Sequence, residues 1–192
     1  MRKLIAGMKV SVDAKLEGPQ GTADCVDAWS EDYGLMPQID ACLLGGGMYP
    51  GYEGYWSSIR NEPDKPVWIT GNPPTPAELE WARFAAKTPH YVFSNTLTSA
   101  QWPNTRFVRS LEEITALKQQ PGKDMLTFGG ATLISSLMNL DLIDEVRLMI
   151  NPIILGGGKG LFKDVKKQHT MKLVRAKALK SGKVGLTYST RL

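Results

Sequence analysis

Few of the side chains that do chemistry unaided are present. The two histidines, His90 and His169, lie far apart in the chain, and neither falls in an H-E-x-x-H spacing or beside a cysteine pair. That argues against a histidine-ligated metal and against a Ser-His-Asp triad. Two cysteines, Cys25 and Cys42, cannot build a disulfide framework, and Cys42 sits in the apolar run Ala41-Cys42-Leu43-Leu44 as a small buried hydrophobe. Chemistry in such a chain is expected to come from a bound cofactor.

Three stretches have the form to hold one. Phe128-Gly129-Gly130-Ala131-Thr132 follows an apolar run and precedes an amphipathic segment carrying Leu133, Ile134, Leu137, Met138 and Leu140. Strand, glycine turn and helix start is the arrangement in which backbone N–H groups and the helix dipole receive a phosphate. A purely structural glycine turn reads the same way. Gly45-Gly46-Gly47-Met48 repeats the arrangement after Ala41 to Leu44, and Ser94-Asn95-Thr96 offers hydroxyl and amide groups after Val92-Phe93. These three ends would converge at the carboxyl edge of an α/β sheet, where ligands bind. Gly156-Gly157-Gly158-Lys159-Gly160 invites a P-loop reading, but Ile153 stands where that motif needs glycine and Gly160 where it needs Ser or Thr. A mobile turn between strands is expected there. Aromatics concentrate at Trp29, Tyr33, Tyr49, Tyr52, Tyr55 and Trp56; stacking on a flat heterocycle, core packing and a dimer surface all suit them.

The elements around these stretches alternate as an α/β sheet does: short β-branched runs between segments of helical period. Strands are expected at Leu4 to Val12, Ala41 to Leu44, His90 to Phe93, Met125 to Phe128 and Glu145 to Ile150, with a hairpin formed by Met171 to Ala178 and Lys183 to Arg191 across Ser181-Gly182. In the final strand Val184, Leu186 and Tyr188 share a face. Helices are expected at Pro76 to Lys87 and at Leu111 to Gln119, the latter with Ser110 as N-cap and Glu113 in the capping-box position. The Gly/Pro-rich stretch from Pro50 to Pro76 reads as a long connection.

At 192 residues, 42% apolar and 22% charged, the chain suits one globular domain, 1–192. Its net charge of +4 falls far short of a polyanion binder's. The charge is uneven: residues 159–192 hold ten basic residues against Asp164 alone, and residues 1–158 hold 13 basic against 18 acidic. The tail's bases alternate along expected strands with Tyr188 as the only Tyr or Trp among them, so a nucleic-acid interface ranks last; lysines protecting a sheet edge rank first. No apolar run approaches the roughly 18 residues of a membrane span, and the basic start lacks a signal peptide's pattern. A cytoplasmic protein is expected, with a small-molecule substrate and neither nucleic acid nor membrane as partner.

Taken together, the segments resemble the dihydrofolate reductase-like superfamily, and specifically the reductase-domain family of the bifunctional riboflavin-biosynthesis deaminase/reductase. The residues that carry the resemblance are Val10-Ser11-Val12-Asp13, Asp40-Ala41-Cys42-Leu43-Leu44-Gly45, Tyr91-Val92-Phe93-Ser94 and Gly129-Gly130-Ala131. Most specific is the run from Leu140-Asp141-Leu142-Ile143-Asp144-Glu145 through Pro152-Ile153-Ile154-Leu155-Gly156-Gly157-Gly158 to Leu161-Phe162.

The resemblance implies a single three-layer α/β domain, with a mostly parallel sheet of about eight strands, helices on both faces and an antiparallel C-terminal hairpin. It implies an NADPH-dependent reductase of a pterin, a riboflavin-pathway pyrimidine or another small heterocycle or carbonyl compound, and a homodimer. By it, Gly129, Gly130, Ala131 and Thr132 cradle the pyrophosphate. Gly45, Gly46, Gly47 and Met48 form the other cofactor loop, and Ser94 and Asn95 lie near the adenosine phosphate. Asp13 is the candidate for anchoring or protonating substrate, with turn capping as its other reading; Trp29 and Phe128 are the remaining substrate candidates. Three positions depart from the family pattern. Gly46-Gly47 stand where many members carry Arg or Lys, Phe128 stands where riboflavin-pathway enzymes place an acidic residue, and Ala14 follows Asp13 where Gly is usual. The other reading of the same residues is a nucleotide-binding protein of this fold without reductase activity.

Overall fold

A computed structural model describes residues 1–21, 34–128 and 130–191. Eight strands form one sheet: β1 (Leu4–Ser11), β2 (Ile39–Gly45), β3 (His90–Phe93), β4 (Thr105–Val108), β5 (Asp124–Thr127), β6 (Glu145–Asn151), β7 (Lys172–Ala178) and β8 (Val184–Ser189). Their order across the sheet is β4-β3-β2-β5-β1-β6-β8-β7. Every pairing from β4 to β6 is parallel, and β8 and β7 are antiparallel additions. The central strands bury both faces: Leu4, Ile5, Cys42, Leu43, Leu44, Met125 and Leu126 are wholly enclosed, as continuous apolar runs in a parallel sheet require.

Four α-helices connect the parallel strands: α1 (Tyr49–Asn61), α2 (Pro76–Ala85), α3 (Leu111–Gln119) and α4 (Ala131–Asn139). The chain steps outward from β2 to β3 through α1 and α2, then back through α3 to β5 and onward through α4 to β6. Right-handed crossovers therefore put α1 and α2 on one face and α3 and α4 on the other. Side chains agree. On the first face Tyr52 of α1 lies 5.5 Å from the His90 ring and 5.1 Å from the Phe128 ring. On the second, a Cβ on Gly45 would meet Leu133 of α4 at 3.9 Å.

Helix α1 lies inside the stretch read as a connection. Pro50, Gly51 and Gly54 dilute its helical signal, but Tyr49, Tyr52, Glu53, Trp56 and Ile59 are buried, spaced as one helix face. Of the aromatic cluster, Tyr49, Tyr52 and Trp56 are thereby resolved as core, Trp29 and Tyr33 lying outside the described residues: Tyr52 also meets Trp56 and Trp102 edge-on, and Trp56 lies 6.3 Å from Trp81. Burial holds His90 within this cluster neutral, its pKa pushed down to about 4.

At the amino end of the strands a buried charge network ties the layers together. Asp144 accepts the Leu4 N–H at 2.7 Å, the Lys118 ammonium of α3, and the Arg191 guanidinium; the Lys118 and Asp144 side chains are 4% and 2% exposed. An open depression of about 330 Å³ lies at this edge between Lys3, Glu145 and Arg191. It is lined by charges that already pair with one another and lies opposite the strand ends where the glycine turns sit.

The hairpin extends past both helix layers. All seven residues of β7 are exposed and all six of β8 half-buried, so the three-layer description holds for the parallel strands and not for the last two.

Candidate functional site

Strands β2 and β5 are neighbours, in register at Leu43 and Thr127, yet the helices that follow them leave on opposite faces. That divergence opens a crevice at the carboxyl edge, at a switch point in strand order. The two helix starts flanking it share an unusual chemistry. Helix α1 has Met48 as N-cap and α4 has Gly130; neither receives a side-chain cap, and neither carries an acidic residue in its first turn. The other two α-helices are closed by full capping boxes, Thr75 with Glu78 and Ser110 with Glu113. A helix start without a cap leaves backbone N–H groups and the positive dipole end to be met by water or an anion.

The glycines shape this edge by two means. Gly130 has φ +71°, a left-handed conformation, and a Cβ there would meet nothing within 4 Å, so its surroundings on the crevice side are open. At Gly46 a Cβ would fall 2.5 Å from Cβ and Oγ of Ser94, and the Gly46 N–H donates to the Phe93 carbonyl at 2.9 Å. The loop after β2 is thus pressed onto the loop after β3, which is why no Arg or Lys occupies position 46. Ser94 Oγ in turn accepts the N–H groups of Thr96 and Leu97, and Arg109, just past β4, donates to the carbonyls of Ser94 and Leu97.

The structure therefore brings Gly45, Gly46, Gly47, Met48, Ser94, Asn95, Gly130, Ala131 and Thr132 to one edge of the sheet. Gly129 and Trp29 lie outside the described residues. Phe128 does not join them through its side chain: the ring is 6% exposed and packs on Tyr52 and Trp81 as a wall of the aromatic core.

Asp13 stands beyond the end of β1. Its Oδ1 accepts from Ser11 Oγ at 2.6 Å and from the Leu155 N–H at 3.1 Å, and its Oδ2 from the Gly156 N–H at 3.0 Å. These donors, the Ser11 hydroxyl foremost, hold its carboxyl down to about 2 against the opposing effect of burial. Asp13 is therefore ionised at neutral pH and clasps the turn at 155–156. That turn, expected to be mobile, is tied further. Leu16 N–H donates to the Lys159 carbonyl, Leu161 N–H to the Ala14 carbonyl, and Gly158 passes so close to Glu17 that a Cβ would lie 2.0 Å from its carbonyl oxygen. Sequence reasoning allowed Asp13 to cap a turn but could not name the turn, because apart from the local Ser11 hydroxyl the donors come from Leu155 and Gly156, more than a hundred residues away.

Ala14 sits at φ +57°, which costs an L-residue roughly 1–2 kcal/mol and a glycine nothing steric. After allowing for glycine's greater chain entropy, Ala14→Gly is expected to stabilise the fold by about 0.5–1 kcal/mol. A thermal melt checks this: the midpoint should rise by roughly 1–4 °C, and a fall would show that the Ala14 methyl contributes packing that outweighs the strain.

Among the described residues no group of three or more His, Cys, Asp or Glu is placed to hold a metal ion, and no helix is long and apolar enough to cross a membrane.

Comparison with known proteins gives a consistent result. Residues 2–184 match the profile of the RibD C-terminal domain family. The Bacillus subtilis protein YyaP is 36% identical, over 97% of this chain and 94% of its own length. Among solved structures, a putative riboflavin biosynthesis protein from Shewanella sp. PV-4 superposes with a TM-score of 0.69 at 21% identity, covering 97% of this chain and 98% of that one. A diaminohydroxyphosphoribosylaminopyrimidine deaminase/5-amino-6-(5-phosphoribosylamino)uracil reductase from Thermotoga maritima superposes with a TM-score of 0.65 at 15% identity, over 98% of this chain and 56% of that one.

Proposed function

The chain belongs to the RibD C-terminal domain family, and from that premise we propose that it is an NADPH-dependent reductase acting on a small heterocycle, a pterin or a pyrimidine of the riboflavin pathway. The observation that carries the reading is the pair of uncapped, acid-free helix starts flanking the β2/β5 crevice, beside two capping boxes in the same molecule. Two such starts suit a pyrophosphate, whose charge is met by backbone N–H groups and helix dipoles. The open space at Gly130 fits the group as well, since a phosphate must approach the backbone closely there.

In this reading Gly130, Ala131 and Thr132 present the α4 start to the pyrophosphate, and Gly47 and Met48 present the α1 start. Ser94 and Asn95 border the adenosine end, with Arg109 fixing the turn they belong to. When bound, the nicotinamide supplies a hydride to an electrophilic carbon of the substrate. The protein's share is orientation and exclusion of water. Asp13, ionised and accepting from Ser11, Leu155 and Gly156, shapes the edge of the site by holding the 155–156 turn and, with its carboxyl held low, is an acceptor and not a proton source. That last point is also the one observation favouring the second reading, a nucleotide-binding protein without turnover.

Titration of the purified protein with NADPH and with NADH, followed by nicotinamide fluorescence, is expected to show saturable binding of NADPH. Failure of both nucleotides to bind would overturn both readings. With NADPH bound, oxidation in the presence of a panel of pterins, pyrimidines and quinones distinguishes the reductase from the silent binder.

A further inference from the structure

We propose that Arg109, just past the end of β4, is the residue that tells NADPH from NADH, by meeting the phosphate that NADPH alone carries on its adenosine ribose; the inference rests on the nucleotide reading given above. That monoester is the whole difference between the two nucleotides. It bears about 1.5 to 2 negative charges at neutral pH, and such a group calls for a cation, arginine above all. The elements around the crevice supply none. No Lys or Arg occurs in residues 39–59, 88–105 or 124–146, which span β2, β3 and β5 with the turns and helix starts that follow them. The backbone N–H groups and dipoles that suit a pyrophosphate are at the α1 and α4 starts, away from the turn after β3.

The contacts of Arg109 prepare it for this role. The residue is exposed, yet its guanidinium is fixed on three sides. Nη1 donates to the Ser94 carbonyl and Nη2 to the Leu97 carbonyl, and Cζ stands 5.2 Å from the centre of the Phe107 ring. Little rotamer freedom is left to lose on binding. Two of the five N–H donors of a guanidinium are thus engaged; the others have no partner, and the charge no carboxylate, among the described residues. Glu113 makes no ion pair with it, because its Oε1 accepts the backbone N–H groups of Arg109 and Ser110 at 3.0 Å and 3.1 Å. Ser94 is a poor substitute: its Oγ accepts the Thr96 and Leu97 N–H groups and is pressed against Gly46. Phe107 shares its side of β4 with Arg109, so Arg106, the residue before it, projects from the other.

Fluorescence titration of the parent is expected to give a dissociation constant for NADPH at least about tenfold below that for NADH, the return of one or more charge-assisted hydrogen bonds to the phosphate. Arg109→Ala removes the charge and also loosens the turn at 94–97. Loosening weakens both nucleotides alike, so the informative quantity is the ratio of the two constants, which should fall to within about threefold of unity. Arg109→Lys keeps the charge without the planar fork and should remain more selective than the alanine variant. Arg106→Ala should keep the ratio of the parent. Added salt should weaken NADPH more than NADH in the parent, and both equally in Arg109→Ala. Circular dichroism should be unchanged in all three variants, whose side chains are exposed. A parent that binds neither nucleotide would overturn the nucleotide reading and this inference together. A parent that binds NADPH without preference, an alanine variant that keeps the preference, or a lysine variant no more selective than alanine would overturn the assignment of Arg109 alone.

Discussion

Gly130→Asp is expected to lower affinity for NADPH by two to three orders of magnitude while leaving the fold intact. The side chain fits, because a Cβ at this position meets nothing within 4 Å. Its carboxylate would lie at the start of α4, where the pyrophosphate is proposed to sit. Two unit charges of like sign about 4 Å apart repel by about 4 kcal/mol near a protein surface, which corresponds to roughly 1000-fold in affinity. The cost to folding is small. The left-handed φ of +71° penalises an L-residue by roughly 1–2 kcal/mol, and a negative charge at a helix start returns about 0.3–1 kcal/mol of it. A melting midpoint within a few degrees of the parent, together with a lost fluorescence titration, is the expected pair of results. Gly130→Ala shares the backbone penalty without the charge and should bind within about tenfold of the parent. Equal binding by Gly130→Asp and the parent would place the nucleotide elsewhere.

Asp144→Ala should be the most damaging single change to stability, at about 3–5 kcal/mol. The carboxylate joins β1, through the Leu4 N–H, to α3 through Lys118 and to the C-terminal end through Arg191. Removing it strands the Lys118 ammonium, whose side chain is 4% exposed and whose other partner is the Leu142 carbonyl. For a domain of this size the loss lowers the melting midpoint by roughly 10 °C or more. Because the penalty is mainly the stranded charge, Lys118→Met added to Asp144→Ala should recover much of it. Urea unfolding of the two variants tests this; a single variant within 1 kcal/mol of the parent, on the order of the scatter for surface substitutions, would show that the network is not buried as described. The Asp-Glu pair that helped mark the family is thus, at Asp144, a matter of architecture.

What was legible in the sequence is what local chemistry controls. Ser110 and Glu113 announced the start of α3 and closed it as expected. The glycine turns after β2 and β5 were visible too; that the helix starts behind them lack side-chain caps emerges from the structure. The basic tail was read as edge protection, and three of its cations do project from one face of β7. Partners that meet only in three dimensions were not legible. Phe128 was a substrate candidate because the resemblance places a substrate-contacting acidic residue at that position, but the ring packs on Tyr52 and Trp81. Helix α1 escaped because Pro50, Gly51 and Gly54 weaken local propensity while tertiary burial of its aromatic face overrides it. The tight fit of Gly46 on Ser94 depends on the pairing of β2 with β3.

The strand order has a consequence for how the chain is made. Within this sheet β1 is made before the other strands, yet both of its neighbours come late: Leu4 pairs with Met125, and Ile5 with Glu145. At about 5–20 residues per second, the apolar ribbon from Leu4 to Val10 waits several seconds or more for either edge to be satisfied. Closing the sheet then requires β5 to enter between β2 and β1, the kind of long-range pairing that slows folding and leaves unpaired strands open to aggregation. The strands lining the proposed nucleotide crevice are therefore assembled only once β5 (Asp124–Thr127) has appeared, so a product truncated before it would lack the crevice and expose its most apolar strand.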